Sequence, residues 1–281
     1  MLGIAARRRL AVGGSSPTII VGMHRSGTSM LVRLLAALGV HAGTDLSMNA
    51  ESPFYQGLNR ALLRDAGGRW CDIGPVRDKM TDRKFLSKQA SHLENTILSD
   101  TGIGSFFSRG DRMRIILGLK PGPWGWKDPR NSLVLPIWLR VFPSAKIVHV
   151  IRDGVDVAIS LHRRETGRRP NDGDLCADCD SLAHCHRLWE EYVLACRQDG
   201  RTLGDKQYLE IRYELMLESP AREMGRVVEF LGMRVGDTRL SKATALVNVT
   251  RLGNSEARCQ YRQQIEMLPA SSVMQELGYA M

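Results

Sequence analysis

Gly22-Met23-His24-Arg25-Ser26-Gly27-Thr28-Ser29 concentrates two glycines, an arginine and three hydroxyls in eight residues. Glycines let the backbone curl until its N–H groups and a following helix N-terminus aim at one anion, and Arg25, Ser26, Thr28 and Ser29 add donors around it. The loop matches the opening positions of a nucleotide phosphate loop, with Thr28 where the nucleotide-binding lysine belongs. A glycine-tolerant turn capped by Ser26 is the bland alternative, but a cap needs neither the arginine nor the extra hydroxyls. A second cation stands at Ile151-Arg152-Asp153, where a magnesium-dependent NTPase would end its strand in an acid. Ser160 follows Arg152 by eight residues, about two helical turns, so both reach one group beside the strand tip. Two anion sites facing one crevice are the expectation.

The elements that must hold these groups are legible from periodicity. Thr18 to Val21 is a β-branched strand candidate, and Met30, Leu31, Leu34, Leu35 and Leu38 recur at helical spacing up to Gly39. Ala145 to Ile151 is an apolar run suited to a strand buried on both faces, followed by a helix over Val155 to Arg164. The stretch between these two units reads as mostly helix. Lys206 to Ile211 predicts a third strand, and Pro220 to Leu231 a helix closed by Gly232. This alternation predicts an α/β single domain, a central parallel sheet flanked by helices, with ligands at the carboxyl ends of the strands. Residues 1–17 are expected as a flexible N-terminal arm and 18–281 as the domain.

Composition narrows the classes. The chain has 281 residues, 43% hydrophobic and 25% charged, which excludes disordered, collagen-like and coiled-coil architectures. The longest apolar runs are too short to span a bilayer, and Met1 to Pro17 lacks a signal-peptide core, so a cytoplasmic address is expected. Net charge is +9, and 31 of the 39 cations are arginine, the side chain suited to bidentate oxyanion contacts. A non-catalytic polyanion binder is therefore one rival reading, and a P-loop kinase, disfavoured by Thr28 and Arg152, is another. No nucleic-acid stacking surface is evident.

Arg25 to Ser29 after a strand, then Arg152-Asp153-Gly154-Val155-Asp156 with Ser160, resembles the sulfotransferases that use 3′-phosphoadenosine 5′-phosphosulfate (PAPS). Trp126-Lys127-Asp128-Pro129-Arg130, Arg212-Tyr213-Glu214 and Glu276-Leu277-Gly278-Tyr279 extend the likeness to bacterial-type members from about residue 18 to the C-terminus. The resemblance implies a P-loop NTPase-like three-layer sandwich. It implies that Arg25, Ser26, Gly27, Thr28 and Ser29 hold the 5′-phosphosulfate, and Arg152 and Ser160 the 3′-phosphate. Transfer would go to a hydroxyl or amine of a glycan, lipid or small molecule, without a required metal.

Arg25 and then Lys127 are the candidate cations for the leaving oxygen, and a general base for the acceptor is expected to contribute about 10²- to 10⁴-fold. Asp128 is the titratable neighbour of Lys127, with structural pairing to Lys127 or Arg130, or a helix cap near Asn131, equally open. Glu51, in Asn49-Ala50-Glu51-Ser52-Pro53, competes for the role, and His24 ranks third. Specificity loops are expected at Gly43 to Asp82, the former read as a lid, and at Gly167 to Ser181. Arg163, Arg164, Arg168 and Arg169 either receive an acidic acceptor or form a solvated face. Arg251-Leu252-Gly253-Asn254 reads as a weak 3′-phosphate segment or a plain loop. Cys176-x2-Cys179 has zinc spacing, but His184, Cys185 and His186 diverge on a helix, so at most two could face one ion. Free thiols and no metal are the expectation for the six cysteines.

Overall fold

A computed structural model describes residue 12 and residues 14–168, 175–248 and 255–279. Four parallel strands form the centre: β1 (Thr18–Val21), β2 (Gly125–Lys127), β3 (Lys146–Ile151) and β4 (Tyr208–Arg212), in the spatial order β2-β1-β3-β4. Ile20 sits opposite Lys127 on one side and Val148 on the other, and Ile151 opposite Arg212. Successive strand residues bury on opposite faces. Ile19, Val21, Ile147 and Ile151 join one apolar cluster, while Ile20, Val148, Val150 and Ile211 join the other. A sheet apolar on both faces must be covered on both, which is the three-layer arrangement expected from the alternation.

The helices are α1 (Thr28–Ala37), α2 (Pro53–Asp65), α3 (Gly74–Lys79), α4 (Arg83–Leu98), α5 (Asp100–Phe106) and α6 (Arg109–Ile116), then α7 (Asn131–Val141). After β3 come α8 (Gly154–Thr166) and α9 (Leu182–Gly200), and after β4, α10 (Tyr213–Glu218), α11 (Pro220–Leu231) and α12 (Asp237–Thr244). Three short helices, α13 (Ser255–Gln260), α14 (Arg262–Glu266) and α15 (Ser272–Glu276), complete the described chain.

The segment expected as a specificity loop over Gly43 to Asp82 is largely helical, because Phe54, Tyr55, Leu58, Leu62 and Leu63 supply an apolar stripe that α2 packs into the core. Its irregular parts are 43–52, the connection 66–73 and the turn 80–82. Within the expected arm, Val12 and Ser15 are buried, and Ser15 Oγ accepts from Trp124 Nε1 at 2.9 Å. The rest of that arm up to residue 11, together with Arg169 and Arg251 to Asn254, lies outside the described residues.

Candidate active site

The site grows out of two strand ends. β1 stops at Val21, and the chain turns through Gly22 to Gly27 before α1 begins at Thr28. Gly27 adopts φ 91°, and a Cβ there would collide with the Tyr213 ring, so both conformation and space demand glycine. No side chain caps α1, whose N-terminus faces the crevice. Arg25 sits at φ 72°, an unfavourable region for a side-chain-bearing residue, at a cost of about 1–3 kcal/mol. Neighbouring contacts hold it there: Arg25 Nε donates to Ser160 Oγ at 2.8 Å, and Arg152 Nη1 donates to the Arg25 carbonyl at 3.3 Å.

That pair of contacts joins the two expected anion sites, 135 residues apart in sequence. β3 delivers Arg152 to its carboxyl end, and α8 carries Ser160 back alongside it. Arg152 lies 4.8 Å over the Tyr213 ring and pairs with Asp156 at 3.1 Å, so its guanidinium is held in one orientation. At the start of α8, Gly154 lies against Trp189 so closely that a Cβ would overlap the indole. The close approach explains glycine there.

β2, missed in the sequence because three residues carry no periodicity, places Lys127 beside β1. Its Nζ meets Glu51 Oε1 at 2.7 Å and donates to Ser29 Oγ at 3.2 Å. Only 2% of the lysine side chain is exposed, and burial lowers its pKa while Glu51 opposes the shift. Glu51 is held by a tight turn in which its N–H donates to Ser47 Oγ and its carbonyl accepts from Ser47 N, with Ala50 at φ 56°. Gln56 Nε2 donates to its second oxygen.

These groups line one crevice of about 660 Å³ together with His24, Arg33, Arg164 and Tyr213. Among the described residues, five cationic side chains, Arg25, Arg33, Lys127, Arg152 and Arg164, face one carboxylate, Glu51, so the cavity is matched to a polyanion. His24 is held neutral, first by burial and then by Arg164, whose Nη1 stands 3.4 Å from His24 Nδ1.

Asp128 does not join the crevice. It is fully buried, accepts from the Arg130 backbone at 2.9 Å and pairs with Arg130 Nη1 at 3.2 Å, the structural alternative left open by the sequence. The basic stretch divides as well. Arg164 lines the crevice and stacks 5.2 Å from the Trp70 ring, whereas Arg163 packs on Tyr261 and Arg168 pairs with Glu165.

Sequence reasoning missed Arg258. It reaches from α13 to Asp153 at 2.5 Å and Asp156 at 2.9 Å, binding the C-terminal helices to the start of α8. The acids spaced three apart at the start of α8 were its only signal. Glu214, quoted above only as part of a motif, accepts from the Asp153 N–H at 2.9 Å and from the Tyr279 hydroxyl at 2.8 Å. It ties the β3–α8 turn to the end of the described chain.

A family model described as the sulfotransferase family matches residues 17–237. An omega-hydroxy-beta-dihydromenaquinone-9 sulfotransferase of Mycobacterium tuberculosis is 30% identical over 116 residues, 38% of this chain and 28% of that protein. Protein-tyrosine sulfotransferase A of Caenorhabditis elegans is 26% identical over 133 residues, 46% of this chain and 33% of that one. The matched stretches thus span about a third or less of these curated relatives. The sulfotransferase domain of the Synechococcus PCC 7002 olefin synthase superposes with a TM-score of 0.55 at 16% identity, covering 95% of this chain and 96% of that domain. The sulfotransferase domain of the curacin biosynthetic pathway gives 0.51 at 15%, covering 95% and 98%. At those identities the superpositions speak for a shared fold, and the family match extends from β1 through the start of α12: the chain belongs to the sulfotransferase family.

Proposed function

We propose that residues 18–281 transfer a sulfuryl group from PAPS to an acceptor hydroxyl or amine, releasing adenosine 3′,5′-bisphosphate. The hydrogen bond from Arg25 to Ser160 carries this reading, because it joins a loop suited to a 5′-phosphosulfate to a strand end suited to a 3′-phosphate. The backbone of Gly22 to Ser29 and the α1 N-terminus hold the donor's 5′ side, with Arg25, Ser26, Thr28 and Ser29 contributing donors. Arg152 and Ser160 hold the 3′-phosphate.

In the transfer, the bond between sulfur and the bridging phosphate oxygen breaks as the acceptor oxygen or nitrogen bonds to sulfur. The leaving oxygen gains negative charge, which Lys127 and Arg25 neutralise as fixed cations. The acceptor's proton goes to a carboxylate, and Glu51 is the acid that lines the crevice within contact of Lys127. Asp128, with both oxygens on Arg130, is a positioning group in this scheme. The named relatives act on a hydroxylated menaquinone and on protein tyrosine, which favours a hydroxyl acceptor. A cytoplasmic setting would keep the six cysteines reduced, and among the described residues no helix is long and apolar enough to cross a membrane.

Calorimetric titration with adenosine 3′,5′-bisphosphate in EDTA tests the donor site. Metal-free binding that exceeds that of 5′-AMP or ATP, and falls at least tenfold in both Arg25→Ala and Arg152→Ala, is expected. A magnesium-dependent preference for ATP would replace this reading with phosphoryl transfer. Weak, steeply salt-dependent binding without selectivity would reduce the crevice to a polyanion site.

A further inference from the structure

Behind the crevice wall the fold gathers thiols from distant parts of the chain. Cys176 and Cys179 flank a short 3₁₀ turn, Ala177–Asp180, and both are buried. His184, on the first turn of α9, brings a ring nitrogen to the same point: the two sulfurs and the imidazole nitrogen all lie within 4.8 Å of one another. His184 Nε2 is buried and has no hydrogen-bond partner. Cys71, from the connection between α2 and α3 more than a hundred residues earlier, meets the Cys176 thiol. The divergence expected on α9 is real. Cys185 turns to the Cys179 carbonyl at 3.5 Å, and His186 stacks on Trp189, which leaves His184 alone to join the pair.

From this geometry we infer that Cys71, Cys176, Cys179 and His184 form a structural zinc site. The donors are soft, the first pair has the two-residue spacing of zinc knuckles, and Cys71, which touches Cys176 but stands outside the group of three, would close in to supply the fourth corner of a tetrahedral set. Three thiolates on a divalent ion leave a net negative charge, and a cation stands ready for it. Arg69 donates to Cys71 Sγ at 3.5 Å and to the Leu175 carbonyl at 3.2 Å, fastening the two ligand segments together. Binding through Nε2 places the imidazole proton on Nδ1, and the Arg187 guanidinium now 3.3 Å from that atom turns away. None of the four ligands lines the crevice, but their segment also carries Trp70, whose ring touches His24 at 4.9 Å and supports Arg164. A metal there stiffens one wall of the donor crevice.

Elemental analysis and cobalt substitution test the site on the full chain purified under reducing conditions. One equivalent of zinc is expected after dialysis, and exchange with cobalt should give the thiolate-to-cobalt charge-transfer band and the visible bands of a tetrahedral ion. Cys176→Ser and Cys71→Ser should each lose the zinc, whereas Cys259→Ser, at an exposed thiol elsewhere, should keep it. Stripping zinc from the wild type should lower its melting midpoint, with recovery on adding zinc back. Absence of zinc together with absence of the cobalt band in the reduced wild type would overturn the inference. So would a Cys176–Cys179 disulfide in the freshly reduced chain, or metal retained in full by Cys176→Ser. Because the wild-type spectrum alone decides whether thiolates bind the ion, a variant that fails to fold leaves the test intact.

Discussion

Lys127 and Glu51 form an ion pair that is almost completely out of water, and an isolated buried charge on either side would be costly. The pair explains how a lysine can stay charged in a site that lowers its pKa, and how a carboxylate can wait beside it. In the proposed chemistry the two have separate duties, which kinetics can divide. Glu51→Gln keeps the shape and hydrogen bonding but cannot take a proton, so kcat should fall about 10²- to 10⁴-fold with donor affinity little changed. An unchanged kcat would move the base elsewhere, to His24 first. At this scale the sequence was informative where the chemistry is contiguous: Arg25 to Ser29 could be read directly. Glu51 and Lys127 stood out only through resemblance, since 76 residues separate partners that the fold brings to 2.7 Å. Asp128 was indistinguishable from a base until Arg130 was found on both its oxygens.

Among the elements, β2 shows why short pieces escape periodicity. Three buried residues position Lys127, and what secures them is a polar network rather than a hydrophobic stripe. Asn131 Oδ1 accepts from Trp126 Nε1 at 3.1 Å and from Asn59 Nδ2 at 2.8 Å, while its own amide donates to the Ile20 carbonyl at 3.2 Å. Asn59 in turn accepts from Trp138 Nε1, so α2, α7, β1 and β2 meet on two amides. Asn131→Leu strands several buried donors and acceptors, and should cost about 3 kcal/mol or more in urea unfolding. A loss below about 1 kcal/mol would show the network to be dispensable. β1 and β3 were read nearly to the residue because each is an apolar run bounded by turns, and α11 because its apolar stripe begins after Pro220 and is closed by Gly232. β4 begins at Tyr208 rather than Lys206, because Gln207 and Tyr208 bond back to Gly204 in a turn before pairing starts.

The whole molecule carries its stability unevenly with pH. Asp199, near the C-terminal end of α9, is raised by burial from 3.8 to about 6. A carboxyl whose folded value is raised burdens the fold once it ionises. Its penalty is fully present above about pH 6 and vanishes below the unfolded value near 4. Asp199→Asn should therefore raise the melting midpoint at pH 8, by the equivalent of up to about 3 kcal/mol, and leave it unchanged near pH 3.5. Equal shifts at both pH values would assign the effect to packing instead. The fold class was legible from the alternation, and the meeting of the Arg25 loop with the segment after β3 from the two strand ends. The C-terminal contribution was not, since Arg258 and Tyr279 act through carboxylates on other elements.

The bridge between Arg25 and Ser160 has a bearing on discrimination. Arg25 Nε donates to the Ser160 hydroxyl across the crevice, so the loop after β1 and helix α8 are held at a fixed spacing. A molecule carrying charge at both ends exchanges that single internal contact for several at once. A spacing set in advance by the fold would favour a ligand with two anionic groups over a solitary oxyanion.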